Sequence, residues 1–216
     1  MTKHPLPEPL AVLYPLREVQ DARVSVTERS RHRLRMTIDH EPLKGVTPEM
    51  LLWWFTHIGG TMEYDGRTET RYRVWHPLDH IHWELKRAAP DGTVGEGAQF
   101  RIVEMLGRDA RYRIDTVDTV EKLDLTGIRL VLRILGGMVF QLEHTWSRAQ
   151  GATHYTSVMD IGGHSALAAP LNRYLRSRLF VPGMERAWIR HNVEEVGLLE
   201  HFLPELYAAR GGHRAD

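Results

Sequence analysis

Residues 188–197, "WIRHNVEEVG", lie within a long helical pattern near the end of the chain. At about 100° per residue, Trp188 and Phe202 fall on one apolar stripe of this helix. His191 and Glu195 fall in the middle of the same stripe, one turn apart. A carboxylate that is buried in apolar surroundings is costly unless a positive or hydrogen-bonding group meets it. The sequence therefore predicts a partner for Glu195 inside the fold.

The middle of the chain, from Thr70 to about Gly162, alternates apolar and polar residues with a period of two. Gly, Pro and Asp interrupt these runs at hairpin spacing, which predicts a series of antiparallel strands. An earlier strand pair is predicted in residues 23–40. The stretch "GVTPEMLLWWFTHIGG" predicts a helix with Thr47 as its N-cap and Pro48 as its first residue.

After "GGHSALAAP" the pattern is helical to about Arg210, with a bend at residues 181–183. A curved antiparallel sheet followed by one long helix predicts an α+β helix-grip fold, in which the sheet curls around the helix. We expect residues 1–20, which are rich in Pro, to form an extended arm. Residues 21–210 are expected to form one domain, and residues 211–216 a disordered tail. Such a fold encloses a cavity that can bind a ligand.

Composition excludes several classes of function. The chain has 28 Lys and Arg against 28 Asp and Glu, and this balance disfavours a nucleic-acid-binding surface. It has no cysteine, so any transition metal must be held by histidines and carboxylates. No apolar run reaches the length of a membrane span, and the first residues lack the pattern of a signal peptide. We therefore expect a soluble cytoplasmic protein that binds neither nucleic acid nor membrane.

Several polar residues share a face with apolar residues, because side chains alternate along a strand. In "AQFRIVEML", Glu104 is in register with Phe100, and in "MVFQLEHTW", His144 is in register with Phe140. In "TRYRVWH", read as a strand, Tyr72 lies opposite the arginines. We therefore expect the side chains of Glu104, His144 and Tyr72 to point inward.

Strand parity leaves one histidine near the "HPLDH" turn undecided. The strand that follows, "HIHWELKRA", shows Ile81, Trp83 and Leu85 as its apolar face. Either His76 or His80 then points inward at the junction.

The inward histidines and glutamates form a suitable ligand set for Zn²⁺, which imidazole and carboxylate donors bind at about 2.0–2.2 Å. His191 and Glu195 project side by side at positions i and i+4, so both can bind one ion. Each residue also has a simpler interpretation. His191 and Glu195 can hydrogen-bond each other or a buried arginine, Glu104 can pair with an arginine of the sheet, and His144 can be a core histidine with satisfied hydrogen bonds.

A resemblance to a known family accompanies these motifs. "GVTPEMLLWWF", "YRVWHPLDH", "FRIVEMLG", "LEHTW", "THYTS" and "RHNVEEVGLLEHFLPELY" follow one another within residues 45–208. In this the sequence resembles the diacetylphloroglucinol hydrolase family, which includes phloretin hydrolase. The resemblance implies a zinc enzyme that cleaves the carbon–carbon bond between an acyl carbonyl and a polyhydroxylated ring. It also implies a helix-grip fold like that of START domains and pollen allergens.

The resemblance extends to individual residues. The zinc ligands that it implies are His80, Glu104, His191 and Glu195. It thus selects His80 over His76, because the family's substrate-contacting tyrosine would then be Tyr72, eight residues earlier. The residues that it places near the substrate are Tyr72, His144 and His154.

The expected substrate is an acylated phenol or another aryl ketone, and the expected assembly is a homodimer. Fe²⁺ or Mn²⁺ is an alternative to Zn²⁺, because oxygen-rich ligand sets with histidine bind these ions too. The family has an additional N-terminal segment that shapes the substrate pocket, so we expect the substrate to differ more than the metal.

Two other functions remain open. One is a metal-free helix-grip protein that binds an aromatic or polyketide ligand, and the other is an enzyme of this scaffold that performs cyclisation or ester hydrolysis.

Overall fold

The structure is a computed structural model, and it describes residues 4–210 apart from the side chain of Ala166. The predicted tail at residues 211–216 and the start of the predicted arm at residues 1–3 lie outside this range.

An antiparallel sheet forms the body of the protein, and eleven strands are found within residues 4–210. They are β1 (Ala22–Arg29), β2 (Arg33–His40), β3 (Leu43–Lys44), β4 (Thr61–Tyr64), β5 (Arg67–Thr70), β6 (His80–Arg87), β7 (Gln99–Met105), β8 (Arg113–Asp124), β9 (Gly127–Ile134), β10 (Gly137–Ala149) and β11 (Ala152–Ile161). The large sheet has the order β1-β2-β11-β10-β9-β8-β7-β6, and β3 pairs with β11. A separate hairpin joins β4 to β5.

Helices connect the strands and fill the concave side of the sheet. They are α1 (Pro48–His57), α2 (Arg71–Trp75), α3 (Ala169–Tyr174) and the long α4 (Met184–Ala209). A π-helical turn, Leu175–Leu179, continues α3. The expected α+β helix-grip architecture is therefore confirmed. Among the described helices, none combines the length with the apolar character that a membrane span requires.

The predicted start of α1 and the predicted bend before α4 are both found. Thr47 caps α1 by accepting a hydrogen bond from the backbone N–H of Met50 at 3.4 Å, and Pro48 is the first helical residue. Gly183 precedes α4 with a φ of 91°, a conformation that glycine adopts without a steric penalty. Residues 4–18 contain neither helix nor strand.

One predicted strand is wrong. Residues 71–75 form the short helix α2, not a continuation of the strand that ends at Thr70. A stretch of only five residues, of which Tyr72, Val74 and Trp75 are buried, is too short for its periodicity to distinguish one helical turn from a strand. The helical turn brings the Tyr72 carbonyl within 2.6 Å of His80 Nδ1, a contact that an extended chain would not make.

The predicted apolar face of β6 is wrong at Ile81. His80 pairs with Glu104 and His82 pairs with Val103, so β6 has one extra residue, a β-bulge, at this point. Ile81 therefore packs on the outer face with Val103 and Met105. The bulge places His80 on the concave face together with Trp83, two positions that simple alternation would separate.

The space between the sheet and α4 has two parts. The first, which we call the packed half, is filled by aromatic rings and surrounds the C-terminal part of α4; its rings include Trp54, Phe55, Trp75, Trp146 and Phe202. The second, the open half, surrounds the N-terminal part of α4 and contains a cavity of about 430 Å³. Its wall is mainly apolar and includes Leu132, Phe140, Leu142, Met159, Phe180 and Trp188.

Candidate metal centre

Four side chains from β6, β7 and α4 converge where the packed half meets the open half. His80 Nε2 lies 3.5 Å from Glu104 Oε1 and 3.4 Å from Glu195 Oε2. His191 Nε2 lies 3.8 Å from Glu104 Oε2 and 3.7 Å from Glu195 Oε2. All four side chains are largely buried, with Glu104 the most accessible at 13%. The structure thus brings together the four residues that the resemblance implies as metal ligands.

These distances suit a common cation better than direct hydrogen bonds. Donor atoms that surround an ion tetrahedrally at about 2.0–2.1 Å lie about 3.3 Å from one another. His80 Nε2 is buried and has no hydrogen-bond partner within residues 4–210. Neither Glu104 nor Glu195 forms an ion pair with Lys or Arg in that range, so the arginine alternative for these carboxylates is not observed.

The tautomers of the two histidines follow from their other contacts. His80 Nδ1 donates to the backbone carbonyl of Tyr72 at 2.6 Å. His191 Nδ1 donates to Asp79 Oδ2 at 3.0 Å. In the neutral imidazole each Nε2 then presents a lone pair toward Glu104 and Glu195, and this arrangement is repulsive without a positive charge between them. A divalent cation supplies that charge, so the donor set fits a metal ion.

Burial and negative charge shift the pKa values of the two histidines in opposite directions. Burial lowers the pKa of His80 to about 4. Burial alone would lower the pKa of His191 too, but the hydrogen bond to Asp79 and the charges of Glu195 and Glu104 raise it to about 9. Without a metal, the hydrogen bond to Asp79 and the charges of Glu195 and Glu104 therefore favour a proton on His191.

Tyr72 orients two of these four residues. Its hydroxyl donates a hydrogen bond to Glu104 Oε1, and its ring stacks on His80 with centroids 3.9 Å apart. Burial raises the pKa of Tyr72 well above its usual value, and the charge of Glu104 raises it further. Tyr72 therefore stays protonated and remains a hydrogen-bond donor.

Two further acidic residues, Asp79 and Glu194, support the centre from behind. The backbone N–H of Gly107 donates to Asp79 Oδ2 at 2.9 Å and holds the carboxylate against His191. His76 Nε2 lies 3.1 Å from Glu194 Oε2. His76, Asp79 and His191 form a second buried group with metal-ligand spacing, beside the group of His80, His191 and Glu195. We favour the inner group for an ion, because hydrogen bonds already engage the outer one.

Sequence reasoning did not single out Asp79 or Glu194. Asp79 lies within the quoted "HPLDH" motif, and a carboxylate directly before a candidate ligand histidine was the signal available. No sequence motif marked Glu194, which is simply the residue before the candidate ligand Glu195 on the same helix.

His144 faces inward, as predicted, but its contacts are those of a core residue. Its Nδ1 lies 2.9 Å from Ser157 Oγ, which also lies 2.9 Å from His40 Nε2. Its ring stacks on Phe55. Burial lowers the pKa of His144 to about 4, so the ring is neutral near pH 7 and can accept a proton but does not carry one.

His154 does not join the candidate centre. It is exposed on the outer face of β11, where it pairs with Ser147. Alternation along β11 places Tyr155, not His154, on the inner face, where it is fully buried. His154 therefore lies apart from the candidate centre, and its implied contact with the substrate stays a prediction.

Comparison with known families agrees with part of this picture. Residues 36–115 match the family model described as "DAPG hydrolase PhiG domain". The resemblance to the DAPG hydrolase family is confirmed. The match spans Tyr72, His80 and Glu104, which are the contributions of α2, β6 and β7 to the site. The match supports a hydrolase-like family for this chain. Helix α4, which carries His191 and Glu195, lies outside the matched residues.

Several solved structures are similar to this chain at low sequence identity. Protein Ms6760 from Mycobacterium smegmatis is 13% identical, with 81% of this chain and 96% of that chain covered and a TM-score of 0.45. Protein SA2116 from Staphylococcus aureus is also 13% identical, with 82% and 97% covered and a TM-score of 0.44. Ara h 8.0201 is 12% identical, with 75% and 97% covered and a TM-score of 0.39. No curated protein matches the sequence.

Proposed function

We propose that this protein is a zinc-dependent hydrolase that cleaves the carbon–carbon bond between an acyl carbonyl and a phenolic ring. The observation that carries the proposal is the convergence of His80, Glu104, His191 and Glu195, with Nε2 of both histidines directed at the two carboxylates. The family match over residues 36–115 supports the hydrolase class. Nitrogen and oxygen donors favour Zn²⁺, and Fe²⁺ or Mn²⁺ would suit the same ligands.

One of the four proposed ligands reaches a cavity whose mainly apolar wall suits an aromatic ketone. Glu104 is a metal-ligand candidate that also lines the cavity of the open half. A divalent cation in the site supplies Lewis-acid chemistry, since it polarises a carbonyl and lowers the pKa of water. The apolar wall excludes bulk water from the ring and strengthens polar interactions inside the cavity.

The proposed reaction consumes one water molecule. Water adds to the acyl carbon, the bond from that carbon to the ring breaks, and the ring carbon keeps the electron pair and takes up a proton. The products are a carboxylic acid and the deacylated phenol. Electron-donating hydroxyl groups on the ring make its carbon basic enough to be protonated as it leaves.

The chain offers distinct groups for the proton transfers. The carboxylates of Glu104 and Glu195 can accept the proton that water releases on attack. Tyr72, which stays protonated, can donate a hydrogen bond to a phenolate or carbonyl oxygen, as it does to Glu104 here. His144 is neutral near pH 7, and we assign it the role of a proton acceptor or relay only.

Metal analysis tests the centre directly. We expect the purified protein to contain close to one equivalent of zinc, and the variants His191→Ala and Glu195→Ala to contain less than about a tenth of that, because each loses a donor that faces the ion. His154→Ala is the matched control, since it removes an exposed histidine from the outer face. A full equivalent of zinc in both ligand variants would contradict the assignment. A wild-type protein without metal would favour the metal-free ligand-binding alternative.

Product analysis tests the reaction. Incubation with acylated phloroglucinols should release the free acid and the deacylated phenol in equal amounts. If the protein turns over aryl esters but no aryl ketone, the carbon–carbon assignment is wrong. The proposed homodimer is a separate question, which sedimentation equilibrium of the purified protein would answer.

A further inference from the structure

A buried carboxyl group on the cavity wall has no role in the centre described above. Asp118 lies on the concave face of β8, directly opposite Phe100 of β7, and is only 1% exposed. Thr116 Oγ1 donates a hydrogen bond to Asp118 Oδ1 at 3.0 Å. Within residues 4–210, no Lys or Arg forms an ion pair with Asp118. Asp118 lines the cavity of the open half, whose wall is mainly apolar.

Two other buried carboxylates of this region, Asp79 and Glu194, are each held by two groups. Asp79 meets His191 and the N–H of Gly107, and Glu194 meets His76 and Arg190. Asp118 has one neutral donor. The pKa of Asp118 is raised to about 7, mainly by burial and to a smaller extent by the charge of Glu104, against the opposing effect of the hydrogen bond from Thr116. A carboxyl group in such a place costs stability, so its presence calls for a use beyond folding.

The sheet register places Asp118 away from the metal-ligand candidates. Glu104 lies opposite Ile114, and Asp118 is four residues farther along the same strand. Four residues of an antiparallel strand span about 13 Å. Both Glu104 and Asp118 line the same cavity. A ligand that lies along β8 can therefore meet Glu104 at one end and Asp118 at the other.

We propose that Asp118 determines ligand specificity by hydrogen-bonding a hydroxyl group of an aromatic ring in the cavity. The choice of a hydroxylated aromatic ring rests on the proposed function. Thr116 occupies Oδ1 and fixes the carboxyl group, so that Oδ2 is the atom that meets the ligand. A neutral hydroxyl group suits this place better than an ammonium group, because the apolar wall would also have to desolvate the cation.

The experiment measures the binding of two rings that have no acyl bond to cleave. Phloroglucinol carries three hydroxyl groups and resorcinol carries two, so their difference isolates one hydroxyl group. We expect the metal-loaded wild-type protein to bind phloroglucinol about tenfold more tightly than resorcinol in calorimetric titrations, the worth of one well-placed hydrogen bond. In Asp118→Leu, which keeps the size of the side chain but removes both oxygens, the preference should fall to less than about twofold.

Two further variants keep the test decisive. Asp118→Asn keeps an oxygen for Thr116 but directs an amide N–H at the ligand hydroxyl group, so the preference should fall in this variant as well, which covers the case in which Asp118→Leu fails to fold. Glu121→Gln, on β8 but paired with Arg133 on the outer face, should leave the preference unchanged. An unchanged preference in a folded Asp118→Leu protein overturns the inference. Tighter binding of benzylamine than of benzyl alcohol by the wild type overturns it too, because the carboxyl group would then select a cation.

The binding test of Asp118 can succeed or fail separately from the proposed reaction. Zinc content and ketone turnover are measured on the same preparations. A preference that depends on Asp118 in a protein without turnover upholds the inference and contradicts the proposed function. Ketone turnover by the zinc-bound protein, with a preference for phloroglucinol that does not depend on Asp118, upholds the proposed function and contradicts the inference.

Discussion

The packed half and the open half share one sheet and one helix but differ in how they fill the space between them. In the packed half, Phe55 stacks on Trp146 with ring planes 1° apart, and Trp75 meets Phe55 edge to face. In the open half, Phe140 and its aliphatic neighbours leave a cavity of about 430 Å³. The comparison indicates that the two halves have different roles. The packed half supplies stability, and this allows the open half to keep a space for a ligand.

The candidate metal centre lies at the junction of the two halves. On α4, Val193 packs in the open half and Val196 in the packed half, with Glu195 between them. The proposed donors therefore adjoin the packed core on one side, and Glu104 reaches the cavity on the other. Three predictions test this division, and they are given in order of decreasing effect.

The first prediction compares the same substitution in the two halves. Phe55→Ala should lower the free energy of unfolding by about 3–5 kcal/mol, because it removes a fully packed ring and leaves a void. Phe140→Ala should cost less than half as much, because the removed atoms face a space that is already empty. Urea denaturation of both variants at one pH measures the difference. Equal losses would mean that the two halves do not differ in packing.

The second prediction concerns the pH dependence of stability in the open half. The pKa of Asp118 is about 7 in the folded protein, above its usual value of 3.8. Between these values the folded state binds more protons than the unfolded state, so stability is lost as the pH rises from about 4 to 7. Asp118→Asn cannot titrate. Its stability relative to the wild type should therefore increase over this interval by about 2–4 kcal/mol, at about 1.4 kcal/mol per pKa unit.

Denaturation of both proteins at several pH values checks the second prediction. Glu121→Gln is the control, because it replaces a carboxylate on the outer face of the same strand. If the difference between Asp118→Asn and the wild type is the same at pH 4 and pH 7, Asp118 is ionised in the folded protein throughout.

The third prediction concerns the junction. Asp79→Asn should weaken zinc binding about 10- to 100-fold, because the carboxylate fixes the tautomer of His191 and raises its basicity. Competition with a chelator measures the affinity. Asp109→Asn is a matched control, since Asp109 binds Arg111 at the surface and does not touch His191. Equal affinity in both variants would show that Asp79 has no role in orienting the ligand.

The long, regular elements were predictable from the sequence. The stripe on α4 placed His191 and Glu195 inside correctly, because many turns of one period define a face. The strands β7 and β10 placed Glu104 and His144 inside for the same reason. Short or interrupted elements were not predictable in this way. The residues of α2 are too few to show their period, and the extra residue at Ile81 reverses the parity of β6.

Other features escaped prediction although a signal was present. The β4–β5 hairpin turns at Asp65-Gly66, where both residues have positive φ, and this dipeptide is typical of such turns. Asp118 shares its register with Ile114 and Val120, so parity could have placed it inward. The roles of Asp79 and Glu194 could not be predicted in this way, because they depend on which histidine each carboxylate contacts. That relation exists only in three dimensions.

The bulge in β6 has a consequence for how this strand can change. The extra residue changes which side chains of β6 face inward before and after it. His80 therefore faces inward although Trp83, three residues later, faces inward too. Deleting the extra residue would force a choice between aligning His80 with Glu104 and keeping Trp83 in the core. A single-residue deletion there should therefore be far less tolerated than a substitution of Ile81, and the spacing of this motif is under a tighter constraint than its composition.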